Sequence, residues 1–397
     1  MYPTIYHAVL DIFGFDWPWM KLLNSFGFFV ALAFVAANFL LLLEIKRKDG
    51  MGLFPKKTRK IIVGGPVVWS DVIFNAALGF FFGWKVIYLL MNAGELFTGD
   101  TLPQQHIFSG DGNLLIGLLL GATFGGFKYW EYKKQQLDEP VEKEVAIKVQ
   151  DYVGPITFIA AIGGVVGAKF FHLFENPDEF LLFFQEPSLE NFLSGLTIYG
   201  GLIVGSLAVW IYARSKGLPF IHVTDAAAPG LILSYGIGRI GCQVSGDGDW
   251  GIANLSPKPS WISSLPDWLW AYGYPNNVNG VGTKIPIDSG MDIYEGYGRY
   301  LDMPVFPTPI YETLMATIIF LILWKLRKRI QIPGLIFAIY LMFNGFERFW
   351  IEKIRVNNVF DFLGMSVTQA EVISTLTFFG GIALAYYVIK KGRNSLV

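Results

Sequence analysis

The 397-residue chain is 53% hydrophobic and 16% aromatic, with only 16% charged residues and a mean hydropathy of +0.44. Soluble domains carry about 25% charged residues, so this composition excludes an ordinary soluble fold and fits a polytopic membrane protein. The net charge of -1 leaves no global field to attract nucleic acid, and Cys242, the only cysteine, excludes an internal disulfide or a multi-cysteine metal site.

In chain order, Asp11 and Asp16 interrupt the first apolar residues and no basic run precedes them, so the start does not read as a secretory signal. Apolar segments able to span about 30 Å of hydrocarbon follow at 23–43, 67–92, 113–130, 153–174, 196–213, 223–242, 308–324, 333–351 and 368–389. Spanning segments must satisfy their own backbone groups, which predicts an all-α transmembrane bundle of about nine helices. The whole chain, 1–397, reads as a single integral membrane domain, within which 66–150 hold a helix pair. Gly79-x-x-x-Gly83-x-Lys85 and Gly163-x-x-x-Gly167-x-Lys169 echo one another in the second and fourth segments. Two small-residue packing faces, or a duplication, would produce that echo.

Basic residues sort onto alternate loops. Lys46, Arg47, Lys48, Lys56, Lys57, Arg59 and Lys60 follow the first segment, and Lys133, Lys134 and Lys143 the third. Arg214 and Lys216 follow the fifth, Lys325 to Arg329 the seventh, and Lys390, Lys391 and Arg393 the ninth, whereas 93–111 and 175–195 carry no Lys or Arg. The positive-inside rule then predicts the N-terminus outside and the C-terminus in the cytoplasm. The segment 243–307, rich in Gly, Pro, Asn, Trp and Tyr, is too polar to span and predicts a small cap on the outer side. Its Trp261, Trp268, Trp270, Tyr272 and Tyr274 suit an interfacial belt.

That topology brings buried-looking polar residues of several segments to one side at one depth: Tyr199, Gly200 and Gly201; Arg239; Tyr311 and Glu312; and Arg348, Glu352 and Arg355. Two arginines at a membrane interface can grip a phosphate bidentately, and Glu312 and Glu352 can orient them or handle a proton. Arg348 and Glu352, at i and i+4, share a helix face and would serve equally as a helix-end ion pair. Gly236, Gly238 and Gly241 around Arg239 allow a close approach by another helix or by a lipid headgroup. Asp247 and Asp249 follow at once in SYGIGRIGCQVSGDGDWG, where turn capping is the common use of Asp. Lys169 would snorkel or add charge to the same site, and Cys242, with no histidine near it in sequence, reads as packing.

At these residues the chain resembles the prolipoprotein diacylglyceryl transferase family. GRIGCQVSGDGDWG is similar to the family's signature of G-R-I-G-N, an acidic residue and W-G. VVGAKFFHLFENP, YGGLIVG, GLPFIHVTDAAAPG, PTPIYE and ERFWIEKIR support it in the same order. Tyr199 stands where the family has His before Gly-Gly, Cys242 where it has Asn, and Asn344 where it has Tyr. One added residue in GDGDWG lets Asp247 or Asp249 stand for the family's Glu.

The resemblance implies transfer of the diacylglyceryl group of phosphatidylglycerol to the lipobox cysteine of prolipoproteins, in the bacterial inner membrane with the site toward the periplasm. With the charged residues placed as above, Arg239 and Arg348 are then expected to hold the phosphate, with Glu352 and Glu312 orienting them and Tyr199 or a nearby acid assisting thiol deprotonation; substrate contacts are expected of Lys169, Gly200, Gly201, Gly238, Gly241, Asp247 and Glu312. No metal or soluble cofactor is needed. The expected partners are the lipid, the lipobox signal peptide and the surrounding membrane. A transporter, or a family member without activity, is the alternative that the residues leave open.

Overall fold

The computed structural model describes residues 1–397 apart from 93–105, 107–108, 178–194, 196, 295, 358, 363 and 395–397. The lysine- and arginine-free stretches 93–111 and 175–195 therefore lie mostly outside the described residues. The helices in chain order are α1 (Ile5–Phe13), α2 (Ser25–Gly50), α3 (Trp69–Met91, with a π-helical turn at Phe82–Ile87), α4 (Leu114–Gln135) and α5 (Val153–Glu175). They continue as α6 (Ile198–Ser215), α7 (Phe220–Ser245), α8 (Thr308–Leu326), α9 (Leu335–Glu352) and α10 (Gln369–Asn394). Each expected apolar segment overlaps one of these helices, several of which run beyond it, α2 to Gly50 and α4 to Gln135; only the short α1 had no counterpart.

Among the described residues, seven helices are long and apolar enough to cross a membrane by length and composition: α2, α3, α5, α6, α7, α8 and α10. Of the nine expected spans, α4 and α9 fall outside that set. Helix α9 carries Glu347, Arg348 and Glu352 in its 18 residues, and α4 ends in a turn bearing Lys133 and Lys134.

Small residues decide how the helices meet. A Cβ on Gly167 would stand 2.4 Å from Val204 Cβ, and one on Gly200 2.4 Å from the Gly167 carbonyl, so α5 and α6 lie backbone to backbone. The same holds between α3 and α4, where Gly79 and Gly83 face the carbonyls of Leu120 and Ile116. The sequence echo is thus two packing faces, and both Lys85 and Lys169 are buried beside them. Helix α7 is the central element: it packs on α2 and α8, with Ser234 Oγ donating to the Ala33 carbonyl at 2.8 Å and Thr313 Oγ1 to the Gly236 carbonyl at 3.2 Å.

Strands β1 (Lys57–Val63) and β2 (Val141–Ile147) pair antiparallel and close the α3–α4 unit at its base. Near the same end of the bundle, Glu44 pairs with Arg47 at 2.8 Å and with Arg327. Asp225 accepts the N–H groups of Gly334 and Phe337 at the start of α9, at 2.8 and 3.0 Å, with Lys48 3.4 Å away. Several of the basic residues that suggested a cytoplasmic face are therefore held in buried pairs.

Helix α7 runs to Ser245, three residues into the expected cap 243–307, and ends where Gly246 (φ 65°) takes the left-handed conformation. The segment that follows is rich in turns, with the short ladder β3 (Thr283–Lys284) and β4 (Arg299–Tyr300). Its small core is Tyr274, Leu301 and Val305, lined by Trp250 and Tyr272. Tyr274 is wholly buried and its hydroxyl donates to Gln243 of α7 at 2.7 Å, so it packs the cap instead of lying in an interfacial belt. Trp261 and Trp268 are exposed, as a belt requires.

Candidate active site

Four stretches of chain build one charged cluster. On α7, Arg239 lies near the C-terminal end, and the left-handed Gly246 and Gly248 (φ 99°) fold the chain back over it. Asp247 Oδ1 accepts the Asp249 amide at 3.3 Å, a turn that swings the Asp249 carboxylate onto the guanidinium. At the start of α8, Pro307 and Pro309 preset the first turn and bring Glu312, fully buried, to the same place. There its negative charge also meets the positive end of the helix dipole. Helix α9 contributes Arg348 and Glu352, one turn apart, 3.1 Å from Nη2 to Oε2.

The fourth contributor is Arg355, which follows α9. Gly251 pairs with Arg355 in a β-bridge, Ile252 donates to the Ile354 carbonyl at 2.9 Å, and Gly251 to Phe306 at 2.9 Å. A Cβ on Gly251 would stand 2.5 Å from the Ile354 carbonyl oxygen, so only glycine permits this approach. The bridge sets Arg355 Nη2 2.5 Å from Asp249 Oδ1 and Nη1 3.0 Å from Glu312 Oε1.

The cluster is balanced. Arg239, Arg348 and Arg355 face Asp249, Glu312 and Glu352, with Arg239 Nε 2.5 Å and Arg348 Nη1 3.5 Å from Glu312. Burial pushes the Asp249 carboxyl up, but Arg239 and Arg355 outweigh it and hold that group at about 2. Asp247, buried and beside the Asp249 charge, is shifted the opposite way. Of the two aspartates, Asp249 pairs with Arg239 and Arg355, and Asp247 braces its turn.

A cavity of about 500 Å³ opens on one flank, lined by Tyr199, Arg348, Glu352, Asn357, Phe360, Thr368, Gln369 and Ala370. Asn357 donates to Glu352 Oε1 at 2.5 Å. The far wall comes from the hairpin of β5 (Val359–Phe362) and β6 (Met365–Thr368) and the first residues of α10. Arg348 is the guanidinium on this wall: its side chain is 23% exposed against 9% for Arg239, while its Nη1 is turned inward, buried 3.5 Å from Glu312. Its exposed edge, beside Glu352, is the part of the arginine cluster that an anion in the cavity meets, whereas Arg239 is enclosed by Glu312 and Asp249.

The other expected contacts divide. Tyr199 lies on the cavity wall beside Arg348 and Glu352. Gly200 and Gly201 face Gly167 and Gly164 of α5, and Gly241 faces Phe29 of α2, so these glycines are filled by helix packing; only over Gly238 is the space open. Lys169 is buried on α5 and does not line the cavity. Cys242 is buried behind the cluster, 3.4 Å from Asp249 Oδ2 and 3.8 Å from Arg239.

Arg355, mentioned in the sequence only as a helix-end charge, proves to touch two of the three carboxylates. Seven apolar helices, and a balanced arginine–carboxylate cluster that opens on a cavity, define a multi-pass membrane protein with a buried polar site. The family model for prolipoprotein diacylglyceryl transferase matches residues 113–387, and the chain belongs to that family. The match begins within 66–150 and takes in α4. The phosphatidylglycerol–prolipoprotein diacylglyceryl transferase of Bifidobacterium adolescentis is 29% identical over 255 residues, 62% of this chain and 68% of the relative. Its namesake in Corynebacterium glutamicum is 29% identical over 240 residues, 60% and 69% of the two chains. That of Corynebacterium diphtheriae is 25% identical over 288 residues, 71% and 88%.

Proposed function

We propose that this protein transfers the diacylglyceryl group of phosphatidylglycerol to the cysteine thiol of a prolipoprotein lipobox. It would do so in the bacterial inner membrane, with the site toward the periplasm, the N-terminus outside and α4 and α9 completing nine crossings. The thiol sulfur attacks the glycerol carbon that bears the phosphate ester; the S–C bond forms, the C–O bond breaks, and glycerol phosphate leaves with the electron pair. The leaving phosphate gains a second negative charge, which preorganised guanidiniums stabilise. The observation that carries this reading is the exposed edge of the Arg348 guanidinium on the wall of a cavity, backed by Arg239 and Arg355 through Glu312.

In this mechanism Arg348 holds the phosphate, Glu352 orients it, and Arg239 keeps Glu312 and Asp249 from drawing Arg348 inward. The thiol proton passes to the Glu352 carboxylate, directly or through Tyr199, whose hydroxyl gives its own proton to Glu352 as it takes that of the thiol. A thiol of pKa about 8.5 needs only modest help, which the adjacent cations supply. The α3–α4 unit would be an addition beside this catalytic core, and the cap, which supplies Asp249 to it, would close over the site. A strain lacking its own transferase, supplied with this chain, should regain lipoprotein lipidation; failure at normal expression would instead favour a member without this activity. Substrate-dependent flux through proteoliposomes without lipid transfer would favour a transporter.

A further inference from the structure

One buried acid at the site takes no part in the ion pairs described. Glu347 precedes Arg348 on α9 and is 2% exposed. Its Oε1 accepts the hydroxyl of Tyr235 at 3.4 Å, and its Oε2 has no hydrogen-bond partner among the described residues. Tyr235 sits one turn before Arg239 on α7, and the Arg239 guanidinium lies 5.2 Å from the centroid of its ring. Arg239 is thus held on its edges by Glu312 and Asp249 and on one face by an aromatic ring. Tyr235 also packs against the apolar cluster of Ile232, Ala316 and Ile319, where phenylalanine would fill the same space without burying a hydroxyl. A buried polar pair without a task is selected against, because it costs more than its apolar replacement.

We propose that Tyr235 and Glu347 are positioning residues for the transferase reaction, fixing the Arg239 guanidinium against Glu312 from the side facing the membrane interior. The inference rests on the transferase reading. A Glu347 oxygen accepting a hydrogen bond from the phenol makes the ring more electron-rich and so strengthens its attraction for the cation. The charged groups around the pair are Arg239 on α7, Glu312 on α8 and Arg348 on α9. With Arg239 fixed, Glu312 stays directed at it and Arg348 keeps its exposed edge toward the cavity.

The test is a kinetic one, on purified full-length protein with phosphatidylglycerol and a lipobox peptide. Tyr235→Phe and Glu347→Gln should each lower kcat by about 3- to 10-fold while KM for the lipid stays unchanged, as the loss of one hydrogen bond implies. The double variant should be no worse than either single one, since both break the same link. Tyr235→Leu, which removes the ring as well, should lose more. Wild-type kcat in Tyr235→Phe and Glu347→Gln, losses that multiply in the double variant, or a raised KM with kcat intact would each overturn the proposal. Gel filtration and the thermal midpoint verify folding; if Tyr235→Leu does not fold, the two near-isosteric variants decide. Absence of transfer by the wild-type protein would remove the transferase reading and this inference together, whereas an active wild type with indifferent variants would remove only the inference.

Discussion

Arg355 Nη1 stands 3.0 Å from Glu312 Oε1, across 43 residues of sequence and between two separate elements. The same guanidinium reaches Asp249 through Nη2, so one side chain links the start of α8 to the turn after α7. Removing it leaves two carboxylates short of a partner. Arg355→Met should therefore destabilise the protein by about 3–5 kcal/mol, read as a lowered unfolding midpoint in detergent, and should abolish lipid transfer. A stable, active variant would show that Arg239 alone balances both acids.

Arg348 is the guanidinium on the cavity wall, and its planar fork suits a phosphate better than a lysine ammonium does. Arg348→Lys should keep the fold but raise KM for phosphatidylglycerol by about tenfold. Arg348→Ala should leave transfer at background. Unchanged lipid affinity in Arg348→Lys would move the phosphate elsewhere.

Asp249 gives an acid-stability signature. Its carboxyl ordinarily titrates at 3.8 and is held at about 2 in the folded protein, with burial opposing and Arg239 and Arg355 prevailing. A depressed native pKa stabilises fully above the unfolded value and loses that stabilisation as pH falls through the native one. Stability should thus decline between about pH 4 and pH 2, and Asp249→Asn should flatten that part of the curve. Unfolding midpoints across this window supply the comparison.

Tyr199 is placed to relay the thiol proton to Glu352. Tyr199→Phe should lower kcat by about 10²-fold and alter the pH profile. An unchanged rate and profile would leave Glu352 as the acceptor.

The contact between α5 and α6 sets where Tyr199 lies. In Gly167→Val a side chain would meet Val204 and the Gly200 carbonyl, and should cost about 1–3 kcal/mol. Thermal unfolding reads the cost directly, and transfer activity should fall with it as Tyr199 moves off the cavity wall.

The helices were legible because spanning the bilayer demands long apolar runs, and these are visible residue by residue. Arg239, Glu312, Arg348 and Glu352 were legible as charges at the ends of such runs, where burial without a partner is costly. Their pairing was not. Asp249 rather than Asp247 reaches Arg239 because Gly246 and Gly248 reverse the chain, and Arg355 joins because Gly251 pairs with it across a bridge. Both depend on backbone geometry that periodicity does not encode. Gly200, Gly201 and Gly241 illustrate the converse: a small residue beside a charge looks like room for a ligand, yet the neighbouring helix already fills it. Tyr272 and Tyr274 likewise have belt composition, but the cap needs a core of its own and takes them for it.

The most direct measurement incubates the purified protein with phosphatidylglycerol labelled in both its diacylglyceryl and its glycerol phosphate parts, together with a lipobox peptide. The diacylglyceryl label should appear on the peptide cysteine as a thioether, with glycerol phosphate released in equal amount, and Arg348→Ala should give neither. Folded wild-type protein that leaves the peptide unmodified, or an Arg348→Ala variant that transfers at the wild-type rate, would contradict the account.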